Sequence, residues 1–161
     1  MHAQSGSPTG TTTVSVTIGP QAGLTITNGS TPLTAGGSNF SQFSGSTLMT
    51  YFVRTTTTGG GGSITLKVSS DFSPVGGPSV ASPLFSSDTL NYTCTVASPG
   101  SACTSTQTAS TSSQTNVASF GTNVHTTAAG SSAEVDWTLA NDPSYKTGTY
   151  NATVTFTISA S

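Results

Sequence analysis

Charge is what this sequence has least of. Only 5% of its 161 residues are Asp, Glu, Lys or Arg, against about 25% in an average soluble domain. The basic residues are Arg54, Lys67 and Lys146, and the acidic ones Asp71, Asp88, Glu134, Asp136 and Asp142, for a net charge of −2. Nucleic-acid binding needs a basic stripe that displaces counterions, and three dispersed cations exclude it. Leu, Glu, Lys and Arg are scarce and no 3.6-residue periodicity persists, which argues against helices. No run of eighteen apolar residues exists, so no transmembrane segment is expected. The start, Met1-His2-Ala3-Gln4, carries at Ala3 the kind of small residue found where secretory leaders are cleaved.

Hydroxyls replace the missing charge: 28 Ser and 33 Thr. Such a bias suits disordered stalks, but disorder usually comes with high net charge. Here the Thr residues alternate with Val, Ile, Leu and Phe, as a half-buried strand requires. Val14, Val16 and Ile18 alternate with Ser15 and Thr17, and Leu24 and Ile26 follow a Gly19-Pro20 break. Residues 48–54 are apolar on both faces and read as a central strand. Further period-two runs are Ile64-Leu66-Val68, Leu90-Tyr92-Cys94-Val96, Val135-Trp137-Leu139 and Tyr150-Ala152-Val154-Phe156-Ile158, with a weaker strand over 117–124. About eight short strands with Gly- and Pro-rich turns predict an all-β chain, folded as an antiparallel β-sandwich. Trp137 is expected to anchor the core. Tyr150, after Gly148, is placed as in a tyrosine corner. Residues 98–113 read as a polar surface excursion, residues 55–62, four Thr then four Gly, as a turn-rich segment, and its Gly59–Gly62 run as a flexible hairpin tip.

The two cysteines, Cys94 and Cys103, flank a Pro99-Gly100 turn. Their even count and close spacing predict a disulfide, and hence an oxidising, extracellular setting. A metal or redox role has little behind it: no C-x-x-C occurs and His2 and His125 have no ligand spacing.

The search for chemistry returns little. Ser and Thr nucleophiles abound, but a nucleophile needs a base, and His125 lies in a loop-like stretch without a G-x-S-x-G anywhere in the chain. A cleft uniting His125 with a carboxylate and a serine would be needed for an enzyme. Glu134 and Asp136 share one face of a strand, opposite Trp137 and therefore outward; solvated carboxylates are the plain interpretation, with a calcium site that includes Asp142 as the alternative. No catalytic residue, cofactor or metal ligand is assigned. Phe40, Phe43, Phe72 and Phe85 lie in loop-like regions and leave open a carbohydrate-binding or adhesive module, with surface glycans as partners.

The N-terminus points elsewhere. Polar and small residues lead into Thr11-Thr12-Thr13-Val14-Ser15-Val16-Thr17-Ile18, set apart by Gly19-Pro20-Gln21-Ala22-Gly23. A detachable strand with alternate apolar side chains is what strand addition to an open sheet edge requires. Given head to tail, it builds a homopolymer that does not close. The other expectation is that Val14, Val16 and Ile18 pair within their own domain. The closing run Gly148-Thr149-Tyr150-Asn151-Ala152-Thr153-Val154-Thr155-Phe156-Thr157-Ile158-Ser159 resembles the last strand of secreted bacterial pilin-like domains of the spore-coat-U and chaperone–usher group. The opening residues 13–18, followed by Leu24-Thr25-Ile26, are similar to the start of those proteins. Members often carry a cysteine near the second N-terminal strand, where this chain reads Ala22-Gly23-Leu24. The resemblance implies an incomplete immunoglobulin-like sandwich completed by a neighbour's strand in an extracellular fibre. The expected organisation is thus an extension over residues 1–19 with a candidate donor strand, and an immunoglobulin-like β-sandwich over residues 20–161.

Overall fold

A computed structural model describes residues 9–37 and 39–161; the leader-like start over residues 1–4 lies outside them. Ten strands follow in chain order: β1 Gln21–Ile26, β2 Thr34–Ala35, β3 Phe43–Arg54, β4 Gly62–Ser73, β5 Asn91–Val96, β6 Ser101–Ala102, β7 Gln107–Thr108, β8 Thr115–Phe120, β9 Ser131–Leu139 and β10 Asn151–Ala160. No helix among the described residues is long and apolar enough to cross a membrane.

The strands form two antiparallel sheets packed as a sandwich. One runs β1-β3-β9-β5-β7 with β2 beside β3, and the other β10-β4-β8-β6. Period-two patterning decides which side chains face inward. Met49, Tyr51 and Val53 on β3, Ile64, Leu66 and Val68 on β4, and Ala133, Val135, Trp137 and Leu139 on β9 are all buried. The residues between them are wet, so Leu48 and Phe52 on the apolar run of β3 stay partly exposed.

The two-residue strands β2, β6 and β7 are too short to carry a period, and two connections differ from expectation because of how the sheets close. Residues 55–62 join β3 of one sheet to β4 of the other, so they form an inter-sheet arch and not a hairpin tip. Thr55 Oγ1, nearly buried, donates to the Gly121 carbonyl at 2.8 Å and accepts from the Val124 N–H at 3.0 Å. The Ser161 and Gly61 backbones bond each other at 2.8 and 3.3 Å. Residues 98–113 are more than a surface excursion. Within them β6 pairs with β8 in one sheet and β7 with β5 in the other, and Cys103 and Ala109 enter the core. The buried Tyr51 hydroxyl holds the start of this crossing, donating to the Ala97 carbonyl and accepting from the Gly100 N–H at 2.9 Å. A side chain at Gly100 would collide with Val96 and that same hydroxyl.

The disulfide joins Cys94 on β5 to Cys103 beyond β6, with Cα atoms 5.6 Å apart. It therefore links strands of opposite sheets on the side that the crossing segment closes. The Tyr92 hydroxyl reinforces this side, donating to the Asn116 carbonyl on β8 at 2.8 Å and lying 2.8 Å from the Thr115 hydroxyl. Replacing both cysteines by alanine is expected to cost about 2–3 kcal/mol, the loop-closure entropy of so short a ring. Chemical denaturation should show the loss as a lower midpoint with an unchanged slope.

Candidate functional site

The side of the sandwich opposite the disulfide is bounded by two sheet edges. Its two borders are β1, which among the described residues pairs only with β3, and β10, which pairs only with β4. β10 runs ten residues with its second edge unpaired among the described residues. Its inward residues Ala152, Val154, Phe156, Ile158 and Ala160 touch the core yet are only half-buried. Their partners on β4 are not: Ile64 and Leu66 are 0% exposed and Val68 is 1%. The same sheet thus changes from sealed to half-covered in one strand spacing. A long edge with apolar side chains is a template for another strand, and soluble proteins normally block one with charge, proline or a covering segment. β10 contains no charged residue and no proline.

The N-terminal segment leaves from the same border. Residues 9–20 belong to no strand, and Val14, Val16 and Ile18 are 91%, 82% and 67% exposed. Their alternation does not produce a strand within the domain, because no sheet edge of the chain is laid against them. The exit point is fixed: Arg54 Nε donates to the Gly19 carbonyl at 2.9 Å, and its Nη2 to Gln21 Oε1 at 3.3 Å. β1, which begins directly after this anchor, lies next to β10 across the sandwich. The exposed edge of β10 could not be found in the sequence. The parity of β10 was legible, but whether that strand is central or peripheral depends on contacts with β4, some ninety residues earlier.

The other sequence-predicted groups stay apart. His125 is exposed and bridges Arg54 through its backbone. The shallow hollow around it is lined by Gln21, Phe52, Arg54 and residues 126–128, with neither carboxylate nor serine among the described lining residues. Glu134 and Asp136 lie on the outward face of β9, where Asp136 Oδ1 accepts from the Ser46 hydroxyl at 2.5 Å. Asp142 does not join them; it lines a separate depression with Asp88. Among the described residues no three His, Cys, Asp or Glu side chains gather as a metal cluster. Of the four phenylalanines expected in loops, Phe40 and Phe85 are exposed there, but Phe43 starts β3 and Phe72 lies near the end of β4, where the strand parity turns both toward the core. Phe40 borders the depression that Asp88 and Asp142 line.

Two local devices brace the β9–β10 and β4–β5 connections. Tyr150 donates its hydroxyl to the Lys146 carbonyl at 2.7 Å, and its ring covers Gly77 so closely that no side chain fits there. Asp71 accepts from the N–H groups of Phe72, Val80 and Ala81 and from the Ser79 hydroxyl. Partial burial pushes its pKa up, but these four bonds outweigh the burial and hold it below the ordinary carboxylate range. Comparison with family models, curated proteins and solved structures returned no match for this chain.

Proposed function

We propose that the chain is a structural subunit of an extracellular filament, and that it polymerises by giving residues 11–18 of one copy to the open edge of β10 in the next. The observation that carries this reading is the pairing of two incomplete halves in one molecule. One half is a ten-residue edge strand whose inward side chains lack cover. The other is an exposed segment with apolar side chains at the spacing needed to supply it. A donated strand would satisfy the free backbone groups of β10, and Val14, Val16 and Ile18 would add cover to its half-buried apolar side chains. In this reading the sandwich is an immunoglobulin-like domain short of one strand. Because donor and acceptor are different surfaces, the contact is head to tail and propagates. Low charge fits an assembling surface, and the disulfide fits an oxidising compartment.

Negative-stain electron microscopy of the full chain beside a variant lacking residues 1–19 tests the proposal. Filaments from the first and monomers from the second are expected. Monodisperse monomers from both would overturn it. The second reading is a carbohydrate-binding or adhesive module, and one observation favours it. Phe40, 64% exposed, stands beside the polar groups Gln42, Asn91 and Asn141, the pairing of apolar face and amides that a sugar ring uses. Retention on a glycan array by the truncated variant would support that alternative.

A further inference from the structure

Three segments meet at one end of the sheet that holds β3, β9 and β5. β3 and β5 begin there and β9 ends there, because Phe43 pairs with Leu139 and Asn91 with Thr138. The residues just before β3, at the start of β5 and just after β9 are therefore neighbours. Phe40, Asn91 and Asn141 line one shallow depression of about 450 Å³, a volume in the range of small-ligand sites.

Phe40 is the unusual member. Its side chain is 64% exposed, and its backbone, like that of Asn39, is left-handed with φ of 56°. Asparagine adopts this region readily, but a bulky side chain there is a genuine outlier. An aromatic residue placed this way neither fills the core nor suits its backbone. Residues held in such conformations collect where ligands are clamped. The turn around it is braced on both sides. The Gly37 N–H donates to Ser41 Oγ at 2.9 Å, and Asn141 Nδ2 donates to the Ser41 carbonyl at 3.2 Å. The ring is thus presented on a fixed frame, which lowers the ordering cost of binding.

The same lining carries polar groups with capacity to spare among the described residues. Asn141 uses its Nδ2 on Ser41 and keeps its Oδ1. Asp142 Oδ1 accepts from the Ser144 N–H at 2.7 Å, which leaves Oδ2. Asn91 Oδ1 accepts from the Thr89 and Thr108 hydroxyls at 3.2 and 2.8 Å, which leaves the Nδ2 donors. Gln42, exposed on the rim, offers its whole amide. Asp88 is nearly sealed and faces the Tyr145 hydroxyl, so it adds only its negative charge. Donors and acceptors side by side match a sugar hydroxyl, which is both at once. Two carboxylates and no cation among the described lining residues would repel a sialylated or sulfated ligand.

We propose that this depression binds one neutral pyranose ring, with its C–H face against Phe40 and its hydroxyls on the amides of Gln42, Asn91 and Asn141 and the Asp142 carboxylate. The proposal rests on the second reading above and narrows it from carbohydrate in general to an uncharged sugar at a named site. Neither β10 nor residues 11–18 contribute to the described lining, so a filament would repeat the site on every copy. A single ring of this size should bind with a Kd on the order of 1 mM, and repetition would supply avidity.

The test uses the full chain in two measurements. Saturation-transfer NMR is run with methyl β-D-glucopyranoside and methyl β-D-galactopyranoside, and retention is read on an array of neutral and sialylated glycans. Transfer to at least one glycoside is expected, with sialylated glycans retained at least about tenfold less than their neutral parents. Phe40→Gly should weaken binding at least about tenfold yet melt no lower than the parent, because glycine suits a φ of 56°. Phe85→Ala, which removes an exposed ring outside the lining, should bind as the parent does. Asp142→Asn should relax the discrimination against sialylated glycans. Neutral-glycan binding that survives Phe40→Gly would overturn the site while leaving a carbohydrate-binding module elsewhere on the chain. A melting temperature several degrees lower in Phe40→Gly would assign the ring to the fold and also overturn it. Equal retention of sialylated and neutral glycans would overturn the neutral class. No transfer and no retention by the parent chain would overturn the site together with the carbohydrate-binding reading.

Discussion

Val16→Asp combined with Ile18→Asp should leave the folded domain nearly as stable as the parent while abolishing filaments. The reasoning rests on where these side chains are and where polymerisation would put them. In the single chain Val16 and Ile18 are 82% and 67% exposed and pair with none of the described residues. Surface substitutions away from caps, cores and networks usually change stability by no more than about 0.5 kcal/mol. At this chain length that is about 1–2 °C in melting temperature. In a donated strand the same positions would lie against Val154, Phe156 and Ile158. There, each aspartate would bring a carboxylate into apolar surroundings without a partner, at a cost of several kcal/mol per contact. Two such residues would be enough to remove the proposed contact, which would have to recur at every subunit. Calorimetry and electron microscopy on one preparation read both halves of the expectation. A monomer that melts many degrees lower would mean that residues 14–18 cover β10 of their own chain, and strand donation between copies would be abandoned. Intact filaments in the double variant would equally rule out these side chains as the inserting ones.

Strand positions were largely legible in the sequence because period two is a local property. Ile64-Leu66-Val68 and Val135-Trp137-Leu139 point inward as their alternation requires. What composition hid was the identity of neighbours. Residues 98–113 average out as polar, yet two small side chains, Cys103 and Ala109, are buried there because the segment crosses between sheets. Thr47 would be placed outside by its hydroxyl, yet it is 5% exposed and fully engaged, with Trp137 Nε1 at 2.9 Å and the Thr31 hydroxyl at 2.7 Å. Asp88 lies in Ser87-Asp88-Thr89, a triplet with no motif, and it is burial beside Tyr145, 57 residues later, that makes it unusual. The candidate donor residues were legible as an alternating run before a Gly-Pro break. Their lack of a partner and the exposed edge that matches them are properties of the assembled sheets.

Trp137→Ala is expected to be the most damaging single core substitution, costing about 3–5 kcal/mol and lowering the melting temperature by roughly 6–20 °C. The indole lies on β9, the strand between β3 and β5, directly opposite Gly45 and Tyr92. Its ring packs on that of Tyr92 with centroids 5.4 Å apart, tilted by 55°, a geometry that contributes beyond buried area. Its Nε1 donates to the Thr47 hydroxyl. Alanine would remove both the ring contact and this donor and leave a void between the sheets. Trp137→Phe separates the two effects, since it keeps much of the ring and loses only the hydrogen bond; a loss of about 1–2 kcal/mol is expected. Thr47→Val should cost a similar amount, because it strands a buried indole N–H. Combining Trp137→Phe with Thr47→Val should then cost clearly less than the sum of the two, as it removes donor and acceptor together. Denaturant titrations of the four variants decide the matter. If alanine and phenylalanine cost the same, the ring volume contributes nothing and the indole holds the sheets only through Thr47. If the double variant is simply additive, the bond to Thr47 carries no coupling, and Trp137 anchors this fold by packing alone.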